Sequence, residues 1–190
     1  MNETVLLLGD SIRLSYQPVV AEQLRSRAAV TGPVENCQFS LFTLASLPRW
    51  LPAQSPAVIH WNNGLHDVGH NPGRAPAQIP LEMYLANLDF IRHTLQATGA
   101  RLIWATTTPV HERRGWSATD WSWRNEEIEC YNHAARELME RHDVAVNDLH
   151  AVVAAGRDRF FMEDGVHLNP AGVAAAGAAV TAAIRAQLKP

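Results

Sequence analysis

The stretch Thr4-Val5-Leu6-Leu7-Leu8-Gly9-Asp10-Ser11-Ile12 decides how the rest of the chain is read. Residues 4–8 form a continuous apolar run. A strand with one wet face would alternate, whereas an unbroken run suits a strand buried on both faces of a parallel sheet. Gly9 permits a tight turn after it. Ser11 then stands at the head of a helix, where free backbone N–H groups favour developing negative charge. A serine so placed can attack a carbonyl carbon and offer its own N–H to the oxyanion that forms. The plainer role for such a serine is a helix N-cap. The G-x-S-x-G elbow of α/β-hydrolases is absent, because Arg13 occupies its last position.

Outward from this stretch, short β-like runs alternate with longer helical ones. Further strands are expected within residues 28–34 and over 57–61, 101–106 and 144–147. Helices are expected over 18–27, 42–51, 80–98 and 125–142, from near Leu149, and over the alanine-rich residues 171–186. Leu81, Tyr84, Leu85, Leu88, Ile91 and Leu95 form a helical apolar stripe, and Gly99 is a stop signal. Pro170 suits the first turn of the last helix. This order predicts a parallel α/β sheet covered by helices on both sides, joined by right-handed crossovers. Ligands of such sheets bind at the carboxyl ends of the strands. Gly9-Asp10-Ser11, Asn62-Asn63-Gly64, Thr107-Thr108-Pro109 and Asp148 all follow predicted strands.

Bulk properties narrow the function. The chain has 190 residues, 47% hydrophobic and 18% charged, which fits one globular domain over 1–190. A net charge of −3 gives no footprint for nucleic acid or for a membrane surface. Cys37 and Cys130 form no C-x-x-C pair and are expected to be reduced thiols. The N-terminus lacks a basic region and a cleavage site, and no run approaches the roughly 18 apolar residues of a membrane span, so a cytoplasmic protein is expected. Among nine histidines, His66 and His70 are four apart, but no H-E-x-x-H appears. No metal is expected. The absence of a phosphate-binding glycine loop argues against a nucleotide cofactor, and no cofactor of any kind is expected.

Near the other end lies Asp164-Gly165-Val166-His167-Leu168-Asn169-Pro170. An activated serine needs an imidazole base, and that base needs a carboxylate to orient it. An Asp and a His three residues apart in one loop supply both. Together, Gly-Asp-Ser near the start and Asp-Gly-Val-His-Leu-Asn-Pro-Ala-Gly near the end resemble the GDSL, or SGNH, hydrolase superfamily. The resemblance covers nearly the whole chain. It implies a flavodoxin-like three-layer αβα sandwich with a five-stranded parallel sheet. It also implies a catalytic triad, with nucleophile, base and acid mapping onto Ser11, His167 and Asp164.

The middle blocks depart from the family pattern. The second usually carries a glycine whose amide serves the oxyanion; here it reads Glu35-Asn36-Cys37-Gln38-Phe39-Ser40. A backbone N–H of Cys37 or Gln38 could still donate. The third is usually Gly-x-Asn-Asp; here it reads Asn62-Asn63-Gly64-Leu65-His66-Asp67. Asn62 is preferred as the side-chain donor because a neutral amide always has N–H to give. Alignment on Gly64 makes His66 the alternative. The N-x-G-L-H-D loop resembles bacterial members often assigned to acetylated sugars.

Trp116, Trp121 and Trp123 are expected to pack a long loop onto the sheet, with a sugar-stacking or acyl-pocket role as the alternative. Arg113 and Arg114 read as a solvated pair or, less usually, an anion site. Asp148 is expected to cap the next helix. The expected reaction is hydrolysis of a small, short-acyl ester through an acyl-enzyme. Acyl transfer to a sugar by the same residues and a catalytically silent binding module are the rivals. Oligomeric state is not legible.

Overall fold

The computed structural model describes residues 3–188. Five strands form one all-parallel sheet in the order β2-β1-β3-β4-β5: β1 Glu3–Leu8, β2 Ala28–Thr31, β3 Val58–Trp61, β4 Arg101–Ala105 and β5 Ala145–Asn147. The register pairs Val5 with Val30 on one side and with Val58 on the other. This is the flavodoxin-like order, in which the chain reverses direction of growth between β1 and β3. The crevice at that switch point opens beside Gly9 and Asn62, directly after the two strands.

Helices cover both faces. On one side α1 (Ser11–Leu24), α6 (Leu149–Gly156) and α7 (Pro170–Gln187) bury Ile12, Tyr16, Val20, Val153, Val180 and Ile184 against Val5, Leu7 and Ile103. On the other, α2 (Ser40–Trp50), α4 (Leu81–Gln96) and α5 (Asn125–Glu140) bury Leu47, Tyr84, Leu88, Ile128 and Leu138 against Leu6, Leu8, Ile59 and Trp104. Alternate residues of β1 thus serve opposite cores, which is why residues 5–8 are all apolar. The one-turn helix α3 (Leu65–Val68) fills the loop after β3.

The first helix begins earlier than its spacing suggests. It starts at Ser11 and carries Pro18 inside. Asp10, not Ser11, is the N-cap: its Oδ1 accepts from the Ile12 N–H at 2.9 Å. Pro18 lies on the exposed face, so the carbonyl that its missing N–H leaves unpaired can reach water.

The Ser11 turn and the loop of His167 meet because α7 packs along α1. Gly177 makes the close approach possible: a Cβ there would lie 2.7 Å from Cγ1 of Val19. Asn169 caps α7, accepting from the N–H groups of Ala171 and Gly172. The loop before α7 is thereby delivered to the head of α1. Among the described residues, no helix is long and apolar enough to cross a membrane.

Candidate active site

The turn between β1 and α1 rests on a buried brace. Arg13, 1% exposed, sends its guanidinium to carbonyls on two segments. Nη1 donates to Pro33 O at 2.8 Å and to Gln17 Oε1 at 2.9 Å. Nη2 donates to Glu35 O at 2.8 Å and to Gly9 O at 3.2 Å. The residue that breaks the G-x-S-x-G pattern is therefore the one that clamps the serine turn to the loop after β2. A glycine at position 9 is required by the same clamp, since a Cβ there would sit 2.8 Å from Cβ of Arg13.

Ser11, the first residue of α1, has no carbonyl one turn back for its N–H. Its Oγ lies 3.0 Å from Nε2 of His167. Nδ1 of His167 lies 2.6 Å from Oδ2 of Asp164. The other carboxylate oxygen, Oδ1, accepts from the backbone N–H groups of Val166 and His167, both at 2.9 Å. Partial burial pushes the Asp164 carboxyl upward, but these two N–H groups and the imidazole outweigh it and hold the group at about 2. Gly165 takes a left-handed φ of +71° and donates its N–H to Met162 O at 3.0 Å. Its carbonyl accepts from the His111 N–H at 2.8 Å, tying the loop to the segment after β4.

The second and third blocks are knitted together underneath. Asp67 is fully buried, and its Oδ1 accepts from Ser40 N at 2.9 Å and Ser40 Oγ at 2.5 Å. Burial raises its carboxyl to about 7 despite these bonds, and Oδ2 has no partner among the described residues. Nδ2 of Asn63 donates to Gln38 O and to Thr43 Oγ1.

These commitments revise the expected donors. The Cys37 N–H is spent on Gly9 O at 3.1 Å, and the Gln38 N–H on Oδ1 of Asn36 at 2.7 Å. Neither second-block amide is free, so Gln38 does not offer the donor expected of it. Gly64 is buried against Thr107, whose Oγ1 would lie 1.9 Å from an added Cβ; it is there for packing and does not line the Ser11 cleft. Asn62 gives one N–H to Ala105 O at 2.7 Å and lines a small cavity with Asp10, Arg13 and Tyr16. His66, the alternative donor, lines the cleft that holds Ser11 and His167.

That cleft has a volume of about 380 Å3 and is walled also by Asn36, Leu65, Arg114, Trp121, Trp123 and Val166. Asn36 went unrecognised in the sequence. Its Oδ1 is held by Gln38, which leaves its Nδ2 without a partner among the described residues. Gln38 stands in the left-handed region at φ +52°, a conformation that the residue types of the second block do not announce. The tryptophans divide. Trp121 and Trp123 meet edge to face at 5.8 Å on the cleft wall, and Trp123 is fixed by Nε1–H donation to Leu65 O at 2.7 Å. Trp116 instead packs against His70, whose Nε2 pairs with Glu127. Asp148 caps α6 by accepting from the Ala151 N–H, as expected, and also takes Thr106 and Arg136.

Comparison with known proteins places the chain among the carboxylic ester hydrolases. Residues 7–175 match the model of the GDSL-like lipase/acylhydrolase family, and the chain belongs to that family. The fold matches solved structures across its length. A lipase/acylhydrolase from Enterococcus faecalis is 21% identical, with a TM-score of 0.83 over 100% of this chain and 98% of that one. The acetyl xylan esterase AlAXEase is 17% identical, with a TM-score of 0.77 over 95% and 99%. TesA is 18% identical, with a TM-score of 0.75 over 98% and 100%. No curated protein sequence matches the chain.

Proposed function

We propose that the protein is a serine esterase acting on small, short-acyl esters through an acyl-enzyme, with Ser11, His167 and Asp164 as its triad. The observation that carries this reading is the unbroken series from Ser11 Oγ to His167 Nε2 (3.0 Å) and from His167 Nδ1 to Asp164 Oδ2 (2.6 Å). His167 takes the hydroxyl proton as Ser11 attacks the ester carbonyl, and returns it to the departing alcohol. Asp164, ionised far below neutral pH, holds the imidazole tautomer and stabilises the imidazolium. Water, deprotonated by the same imidazole, then releases the acid.

The developing oxyanion meets the free N–H of Ser11 and two side-chain donors on the cleft wall, Asn36 Nδ2 and the His66 ring. A side-chain amide in the second block would stand in for the amide that the family draws from its glycine. Trp121, half-buried on the cleft wall and backed by the buried Trp123, offers a face on which a sugar ring could stack. With the fold likeness to an acetyl xylan esterase, it supports an acetylated carbohydrate as the substrate.

The test is turnover of para-nitrophenyl acetate and of peracetylated sugars, beside labelling by a fluorophosphonate. Wild type is expected to turn over and to label at Ser11. Labelling elsewhere, or equal turnover by Ser11→Ala, overturns the assignment. Transfer of acetyl to an added sugar in preference to water would make the same triad that of an acyltransferase.

A further inference from the structure

We propose that Arg114 is a specificity determinant that receives a carboxylate of the substrate, so that the preferred ester bears a single negative charge. This deepens the esterase reading and rests on it. Among the described arginines, Arg25, Arg49, Arg92, Arg101, Arg124 and Arg136 each reach a carboxylate of the protein, and Arg13, Arg113 and Arg185 donate to backbone carbonyls. Arg114 reaches none, although it is only partly exposed and its Nε is buried without a partner. A guanidinium has five N–H donors in a fixed fork, and keeping Nε buried without a partner carries a desolvation cost.

Its position is set from three sides. The side chain packs against Gly165, where an added Cβ would meet Cβ of Arg114 at 3.2 Å. Its guanidinium carbon lies 5.8 Å from the centre of the Trp123 ring, an attractive cation–π placement. Its backbone N–H donates to His111 O at 2.8 Å. The charge is thus held on the wall of the cleft that contains Ser11 and His167. Its neighbour Arg113 is turned away, donating to Met162 O at 2.8 Å.

The fork of a guanidinium matches a carboxylate with two parallel N–H···O bonds. One guanidinium balances one charge, and Asp164 on the same cleft wall would repel a dianion such as a phosphate monoester. A monoanionic carboxylate is therefore the better occupant. It displaces water from Arg114 and leaves the half-buried ring of Trp121 to the apolar part of the molecule.

The experiment uses two matched pairs of esters. Para-acetoxybenzoate against its methyl ester places the charge on the alcohol side. The para-nitrophenyl monoester of glutarate against the corresponding methyl diester places it on the acyl side. Wild type is expected to prefer the charged member of at least one pair by about tenfold or more in kcat/KM, chiefly through KM. That ratio should shrink with added salt, which needs no variant. In Arg114→Gln the ratio should fall towards one, in Arg114→Lys part of it should return, and in Arg113→Gln it should persist.

A wild-type ratio near one in both pairs, or a preference that survives Arg114→Gln, overturns the proposal and leaves the esterase standing. A binding measurement separates the opposite failure. Para-acetoxybenzoate should quench tryptophan fluorescence of Ser11→Ala, and bind about tenfold or more weakly once Arg114→Gln is added. Arg114-dependent binding without turnover in wild type would uphold the anion site and sink the esterase. Neither binding nor turnover would sink both.

Discussion

Ser11 and His167 reach the same point from opposite kinds of ground. The serine stands on a buried shelf braced by contacts between remote segments: Arg13 to Pro33 and Glu35, Asp67 to Ser40, and Asn63 to Gln38. The imidazole and its carboxylate stand on a short loop, 46% and 43% exposed, and bond to one another and to the backbone N–H groups of Val166 and His167 within it. The carboxylates mark the difference. Asp67, sealed from water, is pushed up to about 7; Asp164, wrapped by nearby N–H donors, is held at about 2. The turn that holds Ser11 is therefore braced by remote segments, whereas His167 is oriented mainly by its own loop once α7 and the tie to His111 have brought that loop to Ser11. Errors in the shelf should cost stability first, and errors in the loop should cost rate first.

The largest expected effect tests whether the two regions share one chemistry. Ser11→Ala should lower kcat/KM on para-nitrophenyl acetate by on the order of 10⁴–10⁶, with thermal stability close to wild type. Retained turnover would show that the loop acts without the shelf. Asp164→Asn should cost about 10²–10⁴ in kcat, again with little change in melting temperature, because it spoils the tautomer of an exposed imidazole. A large drop in stability there would erase the distinction drawn between loop and shelf.

Arg13→Met should do the reverse. Stranding buried carbonyls of Gly9, Pro33 and Glu35 is expected to lower unfolding free energy by about 2–4 kcal/mol in urea titrations. Activity should fall only as far as the Ser11 turn loosens.

The smallest effect is a pH dependence. A carboxyl raised to about 7 in the folded state binds its proton more tightly than in the unfolded chain. Its contribution is complete below the ordinary value of 3.8 and is lost as pH rises through about 7. Melting curves of wild type and Asp67→Asn should therefore diverge across pH 4–7, with wild type losing ground as pH increases. The Asp164 contribution runs the other way: present above 3.8 and lost as pH falls through about 2. Parallel curves for wild type and Asp67→Asn would mean that Asp67 ionises freely in the fold.

The fold was largely legible because its signals are local. All five strands lie within or almost upon the apolar runs that announced them, and α4, α5 and α7 follow their stripes and caps to within a few residues. Ser11 read correctly as the head of a helix, but helical spacing was legible only from residue 18, because a proline is a local deterrent; Asp10 as cap and Pro18 facing solvent carry α1 through its first turns. At the site, Ser11, Asp164 and His167 stood out because two short motifs carry them. Arg114 was legible only as one of a pair with an anion site as the lesser reading, and Asn36 and the bracing role of Arg13 did not stand out, since nothing within a few residues of either distinguishes it from an ordinary surface residue.

Periodicity and residue type were enough to specify a parallel sheet and the three side chains that could form a proton relay, because these depend on neighbours a few positions away. Which donors stay free to meet a substrate depends on what distant segments have already claimed. Ala105 takes one N–H of Asn62, Gly9 takes Cys37, Asn36 takes Gln38, and no carboxylate takes Arg114. A hydrogen-bonding group has a small, fixed number of partners, and that allocation is made only when the chain has closed on itself.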